Sequence, residues 1–257
     1  MKTLSTWLSL LFCGIVIANV AADDREIFEI RFYHFRSAES AAKFDSLMED
    51  ALLPLMKNQG IGPVGVFTVL NSKELNSNAR VLLVPYESFQ SMLALHNTST
   101  NSPDFLEKAK GYLEQEPGNP AFERVESMLL HAFAGMPQLK VPGSGEGKSR
   151  RFELRTYKSE NEVQGRLKVK MFNDAEIALF EKVGLSAVFY GEALVAFNLP
   201  QLTYMLVHDD ESAQKQSWKT FLADPGWEKL KTDPEFSGIR LKIIKHMLSA
   251  TKYSPIK

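Results

Sequence analysis

Phe28, Ile30 and Phe32 alternate with Glu29, Arg31 and Tyr33, the two-residue period of a strand with one apolar and one polar face. From Ala38 to Lys57 the period changes. Ala41, Phe44, Leu47, Met48, Ala51, Leu52 and Leu55 recur at helical spacing, and Gly60 follows where a left-handed cap ends a helix. Strand-like runs come next at Val64 to Leu70 and Arg80 to Val84. Helical runs follow at Ser88 to Leu95 and Pro103 to Leu113, and a last strand runs from Phe122 to about Phe133. The predicted order is βαββαβ.

The same order occurs twice. Phe28-Glu29-Ile30-Arg31-Phe32-Tyr33 returns as Phe152-Glu153-Leu154-Arg155-Thr156-Tyr157, a displacement of 124 positions (28 to 152). Asp50-Ala51 returns as Asp174-Ala175, Leu55 as Leu179, Gly60 as Gly184 and Val64 as Val188, so the register holds through a strand, a helix and the next strand. Farther on, Leu83-Val84 matches Leu206-Val207 and Pro103-Asp104-Phe105 matches Pro225-Gly226-Trp227, with drifts of one and two positions that mark loop deletions. Val141 to Ser149, rich in glycine and serine, reads as a linker. The organisation predicted is a first repeat over 23–138, a linker over 139–150 and a second repeat over 151–257.

Each repeat has the order of the split-βαβ, ferredoxin-like unit of the α+β class, an antiparallel sheet with helices on one face. Two such units in one chain bury their open sheet faces against each other, at about 25 cal/mol per Å² of apolar area. The expected architecture is an intramolecular dimeric α/β barrel.

Four ordered stretches of the second repeat carry a resemblance. They are Phe152 to Tyr157, Phe180-Glu181-Lys182-Val183-Gly184, Leu202-Thr203-Tyr204-Met205-Leu206, and Trp218 to Trp227 with its Ala223-Asp224-Pro225-Gly226 turn. Together they resemble the NIPSNAP family, and Glu29, Arg31 and Tyr33 keep the first repeat in register with them. The resemblance implies a fold similar to the dimeric α/β barrels, which include small cofactor-free monooxygenases and some haem-handling proteins. It implies fold rather than activity, because that superfamily hosts unrelated functions. Many single-copy relatives carry a histidine before the glycine of the first helix end; this chain has Val183 there, and Gln59 in the first repeat.

Composition narrows the functional classes. Of 257 residues, 44% are hydrophobic and 24% charged, enough for a sizeable core, and the formal charge of −1 offers no excess of cations for nucleic acid or anionic lipid. Lys2, the apolar run Leu8 to Ile17 and Val20-Ala21-Ala22 before Asp23 read as a cleavable signal peptide over 1–22, and the apolar run is shorter than the roughly 20 residues that span a bilayer. This predicts a secreted or periplasmic protein. Cys13, the one cysteine, lies within that leader, so the mature chain has no disulfide, thiol nucleophile or thiolate ligand. Asn97-Thr98-Ser99 is a glycosylation sequon.

Several motifs fail on context. Gly60-Ile61-Gly62-Pro63-Val64-Gly65 follows a helix and precedes a strand, the reverse of a dinucleotide-binding turn, and reads as cap and turn. Gly147-Lys148-Ser149 lacks the upstream glycine of a phosphate-binding loop. His34, His96, His131, His208 and His246 show no metal-ligand spacing, so neither metal nor cofactor is expected.

The polar trios are the candidate chemistry. Arg31, Tyr33, Glu153, Arg155 and Tyr157, with Glu29, are expected to face the barrel interior, where arginine binds a carboxylate or phosphate and tyrosine donates a hydrogen bond. The competing reading is an Arg–Glu ladder that only satisfies a polar interior. His208, beside Asp209 and Asp210, is the candidate general base, and Asp174, Glu176 and Glu192 are further carboxylates able to approach the cavity. Trp218, Phe221 and Trp227 read as packing residues. Two classes of function remain: a ligand-binding protein or cofactor-independent enzyme with a cavity between the repeats, or a non-catalytic scaffold for another protein. A homodimer of the two-repeat chain is a further expectation.

Overall fold

The computed structural model describes residues 23–115, 118–143 and 150–257. The leader and most of the linker, including Gly147-Lys148-Ser149, lie outside the described residues. The first repeat comprises β1 (Ile27–His34), α1 (Ala38–Leu47), a π-helical turn (Met48–Leu52), α2 (Leu53–Asn58), β2 (Gly65–Ser72), β3 (Arg80–Tyr86), α3 (Phe89–Asn101), α4 (Pro103–Leu113) and β4 (Arg124–Ala132). The second comprises β5 (Arg151–Ser159), α5 (Glu162–Met171), a π-helical turn (Phe172–Glu176), α6 (Ile177–Lys182), β6 (Ser186–Val195), β7 (Gln201–His208), α7 (Glu211–Ala223), α8 (Pro225–Lys231), a 3-10 turn (Pro234–Phe236) and β8 (Leu241–Ala250).

Local chemistry fixes the ends of these helices. Ser88 and Ser91 form a reciprocal capping box at the start of α3, and Asp210 accepts from the Ala213 amide at the start of α7. Gly60 and Gly184 sit at φ 72° and 77°, just past α2 and α6. There Ile61 N–H reaches Met56 O and Leu185 N–H reaches Phe180 O, each at 2.9 Å, the six-residue closure that requires a left-handed residue at the cap. Gly60 is thus a cap, as its context in the sequence predicts.

All eight strands belong to one closed barrel in the order β1-β3-β2-β8-β5-β7-β6-β4. The repeats do more than face each other. Their edge strands pair antiparallel, β2 with β8 and β4 with β6, so the two four-stranded sheets become one and neither keeps an open edge. Ser72 and His246 hydrogen-bond across the first joint at 2.8 Å. Inside, Phe67 meets Phe152 at 4.9 Å and Phe28 meets Phe189 at 5.1 Å between ring centroids, so side chains of both repeats fill one interior.

That interior corrects the expected orientation of the polar trios. Phe28, Ile30, Phe32, Phe152 and Leu154 point into the barrel, whereas Tyr33 and Tyr157 belong to separate clusters beneath the helices of each repeat. Alternation assigns the two faces correctly but leaves open which face is enclosed. The barrel lumen is sealed all round by sheet and admits only apolar side chains at low cost; the helix-covered outer face opens to water at its ends and tolerates glutamate and arginine there. A second correction concerns register. Glu29 lies opposite Val84 and Glu153 opposite Leu206, so Val84, not Leu83, is the counterpart of Leu206.

Candidate functional site

Beneath the helices of the second repeat lies a cleft of about 850 Å³. Its floor is built by two adjacent strands. Glu153, Arg155 and Tyr157 project from β5, and β8 places Met247, Lys245 and Ile243 directly opposite them on the same face. Lys168 of α5, Trp218 and Phe221 of α7 and Trp227 of α8 form the walls, and Asn71 to Glu74 of the first repeat form part of the rim.

The geometry around Arg155 differs from that around its counterpart. In the first repeat Arg31 Nε donates to Glu29 Oε1 at 2.7 Å, and Ser127 and Tyr86 complete the glutamate at 2.8 and 3.1 Å. In the second repeat Glu153 Oε2 accepts from Trp218 Nε1 at 2.8 Å and Gln214 Nε2 at 3.0 Å and meets His208 Nε2 at 3.2 Å, leaving Arg155 Nη1 3.5 Å from Oε1. Burial pushes the Glu153 carboxyl up, but the His208 hydrogen bond, the Arg155 charge and the two other donors outweigh it and hold it at about 2. The Arg155 side chain is only 8% exposed, and among the described residues its Nε has no hydrogen-bond partner. Its guanidinium carbon lies over the Trp218 ring at 4.1 Å, a cation–π contact that holds it in place.

A second cation is handled differently. Lys168 Nζ is 2.5 Å from Glu176 Oε2, both side chains are buried, and Phe172 and Tyr157 rings lie 4.7 and 5.7 Å from the ammonium. Burial pushes the Glu176 carboxyl up against the pull of Lys168 and Arg155. Eight residues separate this pair, about 80° out of phase in a regular α-helix. The π-helical turn at Phe172–Glu176 takes up one extra residue and returns both to one face. Tyr157 and Tyr204 share a hydrogen bond at 2.8 Å, and burial pushes the Tyr157 phenol up to about 12.

The NIPSNAP family model matches residues 152–255, the stretch that builds this cleft's floor and walls. The second repeat is a NIPSNAP domain. No curated protein matches the chain. A candidate monooxygenase of Lactobacillus acidophilus NCFM superposes at TM-score 0.54 and 10% identity, over 87% of this chain and 94% of that one. A second, from Fusobacterium nucleatum, gives TM-score 0.54 and 10% identity over 89% and 93%. An anthrone oxidase-like protein gives 0.51 and 9% over 89% and 92%. At these identities the likeness is one of fold, a two-repeat α/β barrel.

Within the NIPSNAP domain the structure brings together Glu153, Arg155 and Tyr157 and separates them from Arg31 and Tyr33. β1 and β5 stand on opposite sides of the barrel with their trios pointing outward, Arg31 is tied to Glu29, and Tyr33 packs on Phe44 at 4.3 Å. His208 is buried, meets Glu153 Oε2 through its Nε2 and is not among the residues that line the cleft. Of the three extra carboxylates only Glu176 reaches the cleft; Asp174 pairs with Lys170 on the surface, and Glu192 is exposed on β6. Trp218, Phe221 and Trp227 pack as expected and also wall the cleft.

Lys168 and Lys245 escape a reading by motif. Lys168 and Glu176 stand 124 positions after Phe44 and Leu52, so the signal was charge in one repeat where the other is apolar. In the first repeat Phe44 packs here against Tyr33 and Tyr112, tilted to one ring and edge-on to the other. Among the described residues no group of three or more His, Cys, Asp or Glu is placed to hold a metal ion, and no helix is long and apolar enough to cross a membrane.

Proposed function

We propose that the chain binds a small molecule in the cleft of its NIPSNAP domain, one molecule per chain. The observation that carries this reading is Arg155, a buried guanidinium with an unpartnered Nε, stacked and aimed into a cleft of about 850 Å³. Burying a cation without satisfying it costs several kcal/mol, so a site that retains one gains when a ligand completes it. The volume lies within the roughly 300–1,000 Å³ of ordinary ligand pockets, and the lining sets aromatic and aliphatic side chains beside convergent charged groups. In the first repeat the buried Phe44 and Leu52 occupy the positions that Lys168 and Glu176 hold here. Native mass spectrometry of the protein as purified tests the reading. A non-covalent adduct present at one per chain, and lost in Arg155→Ala without loss of fold, is the expected result; an adduct unaffected by Arg155→Ala would refute it.

The reading extends to export of the mature chain, supported by the charged, apolar and small-residue order of residues 1–22. N-terminal sequencing of the protein recovered outside the cytosol should begin at Asp23; an intact Met1 there would refute it.

A further inference from the structure

We infer that the ligand is an amphipathic aromatic acid, its carboxylate or sulfonate held between Arg155 and Lys245 and its ring system lying along the wall of Trp218, Phe221 and Trp227. This rests on the reading of the cleft as a ligand site and adds the chemical class. The first support is the state of Arg155. Three donors from β7 and α7 converge on Glu153 Oε2, the carboxylate that in the first repeat belongs to Arg31. Glu153 Oε2 is thereby saturated, Arg155 keeps only the 3.5 Å contact of Nη1 with Oε1, and its unpartnered Nε stays available for an acid group from outside.

The second support is Lys245, directly opposite Arg155 on β8 with no carboxylate at ion-pair distance among the described residues. Like charges facing each other across two strands are unfavourable. In the first repeat the equivalent place opposite Arg31 holds Ser127, which donates to Glu29. The repeat with the cleft therefore carries a second cation where its twin carries a neutral donor. Burial and the Arg155 charge push the Lys245 ammonium down, and the Glu153 charge only partly offsets them. Glu176, the remaining buried carboxylate of the cleft, is occupied by Lys168.

The third support is the wall. Trp218 has the Arg155 guanidinium carbon 4.1 Å above its ring, and Phe221 and Trp227 continue the apolar surface with their ring centroids 4.7 Å apart. A bare phosphate satisfies Arg155 Nε and Lys245 and leaves this aromatic surface wet, whereas a neutral aromatic covers it and leaves both donors without an acceptor. An aromatic acid satisfies both.

Two naphthalene probes of similar size separate these terms in the full mature chain: 8-anilinonaphthalene-1-sulfonate and the neutral N-phenyl-1-naphthylamine. The sulfonate is expected to bind at least about tenfold more tightly, and Arg155→Gln is expected to erase that preference while the neutral probe keeps its affinity. Lys245→Gln, at an exposed position, should lower sulfonate affinity severalfold and serves if Arg155→Gln does not fold. Arg31→Gln should change neither probe. 2-Naphthoate should displace the sulfonate at concentrations where inorganic phosphate does not. Equal affinity for the two probes, or displacement by phosphate in place of naphthoate, would overturn the assigned class and leave the cleft as a site; binding of neither probe would overturn both.

Discussion

Tyr86 and His208 hold the same place in the two repeats. Each lies opposite the first residue of the comparison, Ile27 or Arg151, and each reaches the same glutamate: Tyr86 Oη donates to Glu29 and His208 Nε2 meets Glu153. The substitution accompanies a change of owner. In the first repeat the glutamate keeps its arginine; in the second, Gln214 and Trp218 join His208 on one oxygen and the arginine turns to the cleft.

That competition is testable. The double variant Gln214→Met, Trp218→Phe keeps the aromatic wall, removes two donors and returns Glu153 to Arg155. Anilinonaphthalene sulfonate affinity should fall about tenfold while the neutral probe stays within a few-fold, as one charge-assisted bond is worth about 1.5–3 kcal/mol. Titration by fluorescence decides it, and an unchanged preference for the sulfonate would contradict the mechanism.

The Lys168–Glu176 pair has no counterpart in the first repeat. Lys168→Met leaves a buried carboxyl without its cation and should cost about 3 kcal/mol in urea unfolding. Lys168→Phe combined with Glu176→Leu copies Phe44 and Leu52 and should recover wild-type stability or better, with loss of the cleft. A double variant no more stable than the single one would show that the pair stabilises this fold in its own right.

Acid should act through Glu153. Its folded carboxyl is held at about 2 against an ordinary 4.5, so its contribution is complete above about pH 4.5 and is lost as pH falls toward 2. The difference corresponds to about 3 kcal/mol at neutral pH. Glu153→Gln should therefore be less stable than wild type at pH 7, and the gap should close between pH 4.5 and 2 in parallel denaturant titrations. A gap independent of pH would assign the loss to packing.

Gly191 sits at the joint between β4 and β6. A Cβ there would lie 2.8 Å from Leu130 Cβ, closer than real contacts allow. Gly191→Ala should destabilise by about 1–3 kcal/mol and lower hydrogen-exchange protection along β4 and β6 more than along the β2–β8 joint. Uniform loss of protection would argue against a local clash.

Much of this architecture was legible in the residues. The 124-position repeat, the βαββαβ order and the cap at Gly60 follow from patterns within about twenty residues of one another, where period and cap chemistry act locally. Glu153, Arg155 and Tyr157 were found because alternation groups them. Lys245 was not, because it reaches Arg155 only through the pairing of β5 with β8, some ninety positions apart. Nor does any periodicity announce the π-helical turn that swings Glu176 toward Lys168.

The sequence by itself determined a duplicated sheet-and-helix unit and the two faces of each first strand, because side-chain direction along a strand is set by the backbone alone. Only the tertiary structure decided which face is enclosed. Pairing β2 with β8 and β4 with β6 seals Phe28, Ile30 and Phe32 inside and sends both trios out under the helices. It also decided that one arginine is spent on its neighbour and the other left open, since that depends on donors supplied by distant elements that meet only when the barrel closes.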